Sequence, residues 1–164
     1  LGEGSVGEGP FDEILPGVVC GKYDVGVIIH EGQLTWKDDG VHLLLDLGMW
    51  WNQTTGLPLP LGGNVVRKDL GDNVCREITR DVRASIKHGL DNPKRALEFA
   101  RQWGRGIDES TNKEFVSMYV NERSLDYGHE GREAIRLFLE RGQEIGLVRE
   151  DIVVREIQFI GYDD

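Results

Sequence analysis

The feature that most constrains this chain is the run Val25-Gly26-Val27-Ile28-Ile29, set between Lys22-Tyr23-Asp24 and Gly32. Four β-branched residues in so short a stretch predict a strand buried on both faces, as in a parallel sheet covered by helices. Such a strand cannot stand alone, so it commits the chain to a layered α/β arrangement. His30 and Glu31 follow directly at its C-terminal end. In open α/β sheets, ligands bind in the crevice outside the carboxyl ends of the strands. An ionisable pair at that place is the first candidate for chemistry.

Around this run, Phe11 to Leu15 predicts a short helix distorted by Pro16-Gly17, continued by Val18-Val19-Cys20 and stopped at Gly21. Gly32 to Gly40 reads as a loop or a single helical turn, and Val41 to Leu45 as a second apolar strand. Asp46-Leu47-Gly48 leads into the cluster Met49-Trp50-Trp51. The segment Leu57-Pro58-Leu59-Pro60-Leu61-Gly62-Gly63 cannot be a central strand, because proline has no donor for a ladder. It reads as an extended connector before a short strand at Asn64 to Arg67.

From Asp72 the period becomes helical, with Val74, Ile78, Val82 and Ile86 four apart. Asn92-Pro93 signals a second helix, with Ala96, Leu97, Ala100 and Trp103 as its apolar stripe. A third is expected over Asp108 to Asn121 and a fourth from Glu130 to about Gly142, after a break at Tyr127-Gly128. Ile152 to Ile160 alternates weakly, as an edge strand does. The expected class is thus α/β: a short parallel-type sheet in the first 70 residues or so, then a helical C-terminal part. An open sheet needs more parallel strands than these, so the chain reads as part of something larger.

A chain of 164 residues can bury one sizeable core. Its formal net charge of −10 argues against nonspecific nucleic-acid binding, which needs clustered Lys and Arg. Cys20 and Cys75 lie too far apart for a metal-ligand motif, and read as buried free thiols of a reducing cytoplasm in preference to a disulfide. No apolar run approaches the ~20 residues needed to cross a bilayer. Leu1 to Pro10 has neither the positive charge nor the apolar core of an export signal. A cytoplasmic protein without metal, cofactor, membrane or nucleic-acid partner is the expectation.

Taken together, Asp24-x-Gly26-Val27-Ile28-Ile29-His30-Glu31, Val41 to Asp46-Leu47-Gly48-x-Trp50-Trp51, Thr55-Gly56-Leu57-Pro58-Leu59-Pro60-Leu61-Gly62-Gly63 and Arg67-x-Asp69-Leu70 resemble one family, the 1,4-dihydroxy-6-naphthoate synthases of the futalosine route to menaquinone. Tyr119-Val120-Asn121 and Ser124-Leu125-Asp126 resemble its C-terminal helical part. The sister chorismate dehydratases are less similar at His30-Glu31 and through Leu57 to Gly63. The resemblance implies a type II periplasmic-binding-protein-like fold, two α/β lobes around a cleft. On it, 1–10 is a loosely ordered start, 11–66 a second-lobe α/β segment and crossover, and 67–164 the helical C-terminal part. It implies a C–C lyase that converts cyclic dehypoxanthinyl futalosine to 1,4-dihydroxy-6-naphthoate, with the catalytic base falling on His30. The family's long N-terminal portion has no counterpart here. The surface it would cover is then expected to support self-association.

The chemistry suits the residue: an imidazole near its usual pKa of ~6.5 can take a proton at neutral pH. A core or surface histidine is the plainer reading. Glu31 either contacts substrate or is a surface carboxylate. Leu59, Leu61, Gly62 and Gly63 line a small-carboxylate site through backbone amides, or form only a stiff hinge. Asn64 is a further polar contact. Trp50 and Trp51 can stack on an aromatic substrate, although such a pair more often belongs to a core. His42, His88 and His129 have no mutual metal spacing, and Arg67-Lys68 has Asp69 and Asp72 nearby. The competing reading is a solute-binding module for a small carboxylate that does no chemistry.

Overall fold

In the computed structural model, which describes residues 4–100 and 109–161, regular structure begins at Phe11. The chain divides into two units, residues 1–45 with 105–116 and residues 46–104 with 117–164.

In the first unit, α1 (Phe11–Val19) starts after Pro10 and contains Pro16 in its last half. It ends through Cys20 N–H bonded to the Pro16 carbonyl at 3.0 Å, with Gly21 at φ 75° beyond. Leu15 and Gly17 are its buried residues. The turn back is tight. The amides of Lys22 and Tyr23 both bond to the Gly17 carbonyl, at 2.8 and 3.1 Å. α2 (Gly32–Thr35) is a single turn.

The expected sheet is not there. Among the described residues no segment is a strand, and every regular element is helical. Val25 to Ile29 has no regular structure, and its burial alternates instead of being complete on both sides. Gly26 and Ile28 are half-buried, and a Cβ at Gly26 would lie 2.6 Å from Ile14 Cγ2, so this side is pressed onto α1. Val25, Val27 and Ile29 are 62–64% exposed. The β-branched run carries the local preference for a pleated surface, but a strand exists only as half of a hydrogen-bonded pair, and no second strand pairs with it among the described residues. The same holds for Val41 to Leu45, where Leu43, Leu44 and Leu45 are all exposed.

In the second unit, α3 (Leu47–Thr55) is capped by Asp46, whose carboxylate accepts from the Met49 amide at 2.9 Å. It closes on Gly56 at φ 73°, a left-handed position that glycine takes without the Cβ clash of other residues. A 3-10 turn (Lys68–Leu70) precedes α4 (Asp72–Asp91), the longest helix described. α5 (Pro93–Ala100) starts at the expected proline. α4 packs against α5, against the 3-10 turn and against α7 (Glu122–Leu125). Between them, α6 (Glu109–Tyr119) passes from the first unit into the second. Asp108 and Trp103 lie outside the described residues. α8 (Gly128–Glu144) begins after Asp126, whose carboxylate accepts from the Gly128 amide at 2.8 Å.

The anticipated strands at Asn64–Arg67 and Ile152–Ile160 are also absent. The first is irregular and mostly exposed, with Val65 at 96%. The second contains a 3-10 turn (Val154–Glu156) that packs on α8 through the buried Val154. The expected α/β class is therefore overturned: helices fit because each closes its own backbone hydrogen bonds, whereas every proposed strand depended on a partner strand, and none is formed among the described residues.

Trp51 belongs to the core of the second unit, with Cys75, Ala134 and Val154. It is 3% exposed, meets the Phe138 ring edge-on at 5.5 Å between centroids, and lies under the Arg141 guanidinium at 5.3 Å. Trp50, by contrast, is 44% exposed. Among the described residues, no helix is long and apolar enough to cross a membrane.

Candidate functional site

His30 lies where the apolar run turns into α2, so its backbone begins a helical turn: the His30 carbonyl accepts from the Gln33 amide at 3.0 Å. Its ring is half-buried beside the Phe11 ring, 5.9 Å between centroids and tilted by 47°. The amide of Gly32 donates to His30 Nδ1 at 3.0 Å. This bond occupies the Nδ1 lone pair, so the neutral imidazole carries its proton on Nε2. Nε2 is itself buried, and finds no hydrogen-bond partner among the described residues.

Gly32 has a second part in the site. A Cβ there would lie 2.6 Å from His30 Cε1 and 2.9 Å from Leu15 Cδ2. The ring therefore rests directly on the Gly32 backbone. Sequence reasoning took this glycine as the end of the apolar run and missed that it holds the imidazole. A glycine two residues beyond a candidate catalytic histidine was the only signal available.

Glu31, half-buried, stands at the start of α2, and its carbonyl accepts from the Leu34 amide at 2.9 Å. His30 and Glu31 belong to the first unit. Leu59, Leu61, Gly62, Gly63 and Asn64 belong to the second, where they form no regular element. Leu59 is half-buried, and Leu61, Gly62, Gly63 and Asn64 are exposed.

The front of that second segment is tied to α3. Trp51 Nε1–H donates to the Pro58 carbonyl at 3.1 Å, and Asn52 Nδ2 donates to the Leu57 carbonyl at 3.3 Å. The Leu57 amide donates to Thr55 Oγ1 at 3.1 Å. Beyond the tether, a Cβ on Gly63 would stand 3.2 Å from the Tyr127 hydroxyl. The start of the segment is anchored, and Gly62 and Gly63 beyond it are exposed.

Asn121 and Ser124 serve as caps: the Asn121 side chain accepts from the Arg123 amide at 3.0 Å, and Ser124 Oγ accepts from the Asn121 amide at 3.1 Å. Arg67 pairs with Asp69. Among the described residues no cluster of three or more His, Cys, Asp or Glu side chains could hold a metal ion.

Comparison with known proteins places the chain. Residues 3–144 match a family model described as menaquinone biosynthesis. The chain is 38% identical over 148 residues to the 1,4-dihydroxy-6-naphthoate synthase of Streptomyces coelicolor, covering 88% of this chain and 52% of that protein. To the synthase of the same name from Thermus thermophilus it is 41% identical over 131 residues, covering 79% of this chain and 48% of that protein. It is also similar to a crystal structure of a protein from Archaeoglobus fulgidus, with 39% identity and a TM-score of 0.80, over 85% of this chain and 53% of that one. The chain thus spans about half the length of the relatives it matches. On the extent of these matches, it belongs to the menaquinone biosynthesis family.

Proposed function

We propose that this chain is the His30-bearing part of a lyase that converts cyclic dehypoxanthinyl futalosine to 1,4-dihydroxy-6-naphthoate. What supports the activity is the 38–41% identity to two synthases of that name. What supports His30 is its Nε2, a buried side-chain nitrogen with unused hydrogen-bonding capacity beside an apolar ring.

The site's geometry gives the proposed step a condition. With the Gly32 amide on Nδ1, the neutral ring presents a donor at Nε2, suited to an oxygen of the substrate. To act as general base the imidazole needs a free lone pair, so Gly32 has to release Nδ1 when the substrate seats, either freeing that nitrogen or letting it take the proton and leave Nε2 as the base. Leu59, Leu61, Gly62, Gly63 and Asn64 are proposed as carboxylate-binding residues through their backbone, and Glu31 as a polar contact beside the base. The lobe-and-crossover division at 11–66 and 67–164 is kept as a proposal for how the polypeptide is apportioned. The exposed Val25, Val27, Ile29, Leu43, Leu44 and Leu45 are proposed as the surface for self-association.

The test supplies the substrate to the chain alone, and to the chain co-expressed with the portion of a relative that it does not match. Naphthoate product is measured by absorbance and mass. Turnover in the supplemented form, abolished by His30→Gln with folding intact, is the expected result. Wild-type turnover in His30→Gln removes the assignment of the base. No turnover in any form removes the activity.

A further inference from the structure

We propose that a cleft in the second unit, between the first half of α8 and the Ile157–Phe159 segment, binds a small organic monocarboxylate with an apolar body. The cleft is open to solvent and offers about 740 Å³, within the range of small-molecule sites. It shares no residue with the site described above, and it does not depend on the lyase reading.

Two arginines on successive turns of α8 face the cleft. Arg136 sits over the Phe159 ring, 5.0 Å from its centroid, and among the described residues it has no carboxylate partner. A guanidinium covered on one face by an aromatic ring keeps its in-plane N–H edge free, and that edge matches the two oxygens of a carboxylate. Arg132 lies 5.9 Å from the same ring and bonds to Asp126 at 3.1 Å, while its buried Nε–H finds no acceptor among the described residues. The two groups together offer more donors than the protein uses. Ile157 adds apolar lining for the rest of a ligand.

Charge selects the ligand class. Asp126 and Glu133 also line the cleft, so the four formal charges cancel, and His129 is 95% exposed at the rim. A monoanion can be held by the arginine edges in such a balanced site, whereas a phosphate dianion meets two carboxylates as well.

The test is an NMR titration of the ¹⁵N-labelled chain at fixed ionic strength with benzoate, with benzamide as its uncharged isostere, and with inorganic phosphate. Benzoate is expected to give saturable shifts at the Arg132 and Arg136 Nε–H signals and in the 157–159 amides. Affinities at least tenfold lower are expected for benzamide and for phosphate, and for benzoate with Arg136→Gln. Equal shifts with benzamide, tighter binding of phosphate, or unchanged affinity in Arg136→Gln would each overturn the proposal. If Arg136→Gln does not fold, Arg136→Lys carries the test: it keeps the charge and loses the fork, so wild-type affinity there refutes the bidentate site.

Discussion

Replacing Gly32 by alanine probes both the packing and the proton placement at His30. The added methyl would lie 2.6 Å from His30 Cε1, 3.1 Å from Nδ1 and 2.9 Å from Leu15 Cδ2. Carbon atoms in good contact sit about 3.5–4.0 Å apart, so the ring has to retreat by roughly 1 Å. Leu15 offers little room, being 7% exposed. Gly32 is not among the glycines with positive φ, so the backbone itself accepts alanine. Overpacking of this kind costs about 1–3 kcal/mol. Against it stands a helix-propensity gain of at most ~1 kcal/mol, smaller at the first residue of a one-turn helix. The net loss is then about 1–2 kcal/mol, a fall in Tm of roughly 2–8 °C for a chain of this length. The displaced ring also stretches the Gly32 N–H···Nδ1 bond, so the imidazole ceases to be held in the Nε2–H form. Thermal unfolding gives the first quantity, and long-range ¹⁵N–¹H correlation of the imidazole nitrogens gives the second. A variant that melts with the wild type and keeps its nitrogen shifts would refute the placement of the ring on Gly32.

Trp51→Ala is expected to cost about 3–5 kcal/mol in denaturant unfolding, since it removes a buried ring and its bond to Pro58, while the exposed Trp50→Ala costs far less; equal losses would contradict the assignment of the core. The Asp126 carboxyl is held below its usual range by the Gly128 amide and then by Arg132, so its contribution to stability is present above the unfolded carboxylate pKa and fades as pH falls through the lower folded value. Asp126→Asn should therefore lower Tm at pH 7, and the difference should shrink progressively as pH falls below about 4; a difference that does not shrink on further acidification would exclude the linkage. Light scattering of the wild-type chain should show concentration-dependent association that Val27→Asp with Leu44→Asp weakens, and a wild type that stays monomeric at high concentration would count against the apolar surface as an interface.

The helical half was legible because its signals are local. Val74, Ile78, Val82 and Ile86 repeat at the helical period, Asn92-Pro93 marks a start, and Tyr127-Gly128 a break; α4, α5 and α8 stand at those places. Even there, burial did not follow the pattern. Val74, Ile78 and Val82 are exposed and Cys75 is the buried residue of α4, because a periodic stripe marks a face without saying what covers it. α3 escaped notice although both of its ends are written in the sequence, Asp46 as cap and Gly56 as stop, since two adjacent tryptophans drew attention to the side chains instead.

The strands failed for the opposite reason. β-branched residues state a preference for a pleated surface, and a ladder is a relation between two segments. Val25 to Ile29 keeps the preference as an alternation of burial against α1 and stops there. At the candidate site, residue type and motif pointed to His30, but the state of its nitrogens depends on where the Gly32 amide falls in space. That distinction governs the base role proposed for His30. An imidazole whose Nδ1 is already hydrogen-bonded is a donor at rest, and becomes a base only when a backbone amide lets go. In the reaction proposed for His30, the readiness of the ring to take a proton is therefore set in part by a residue with no side chain, two positions further along the chain.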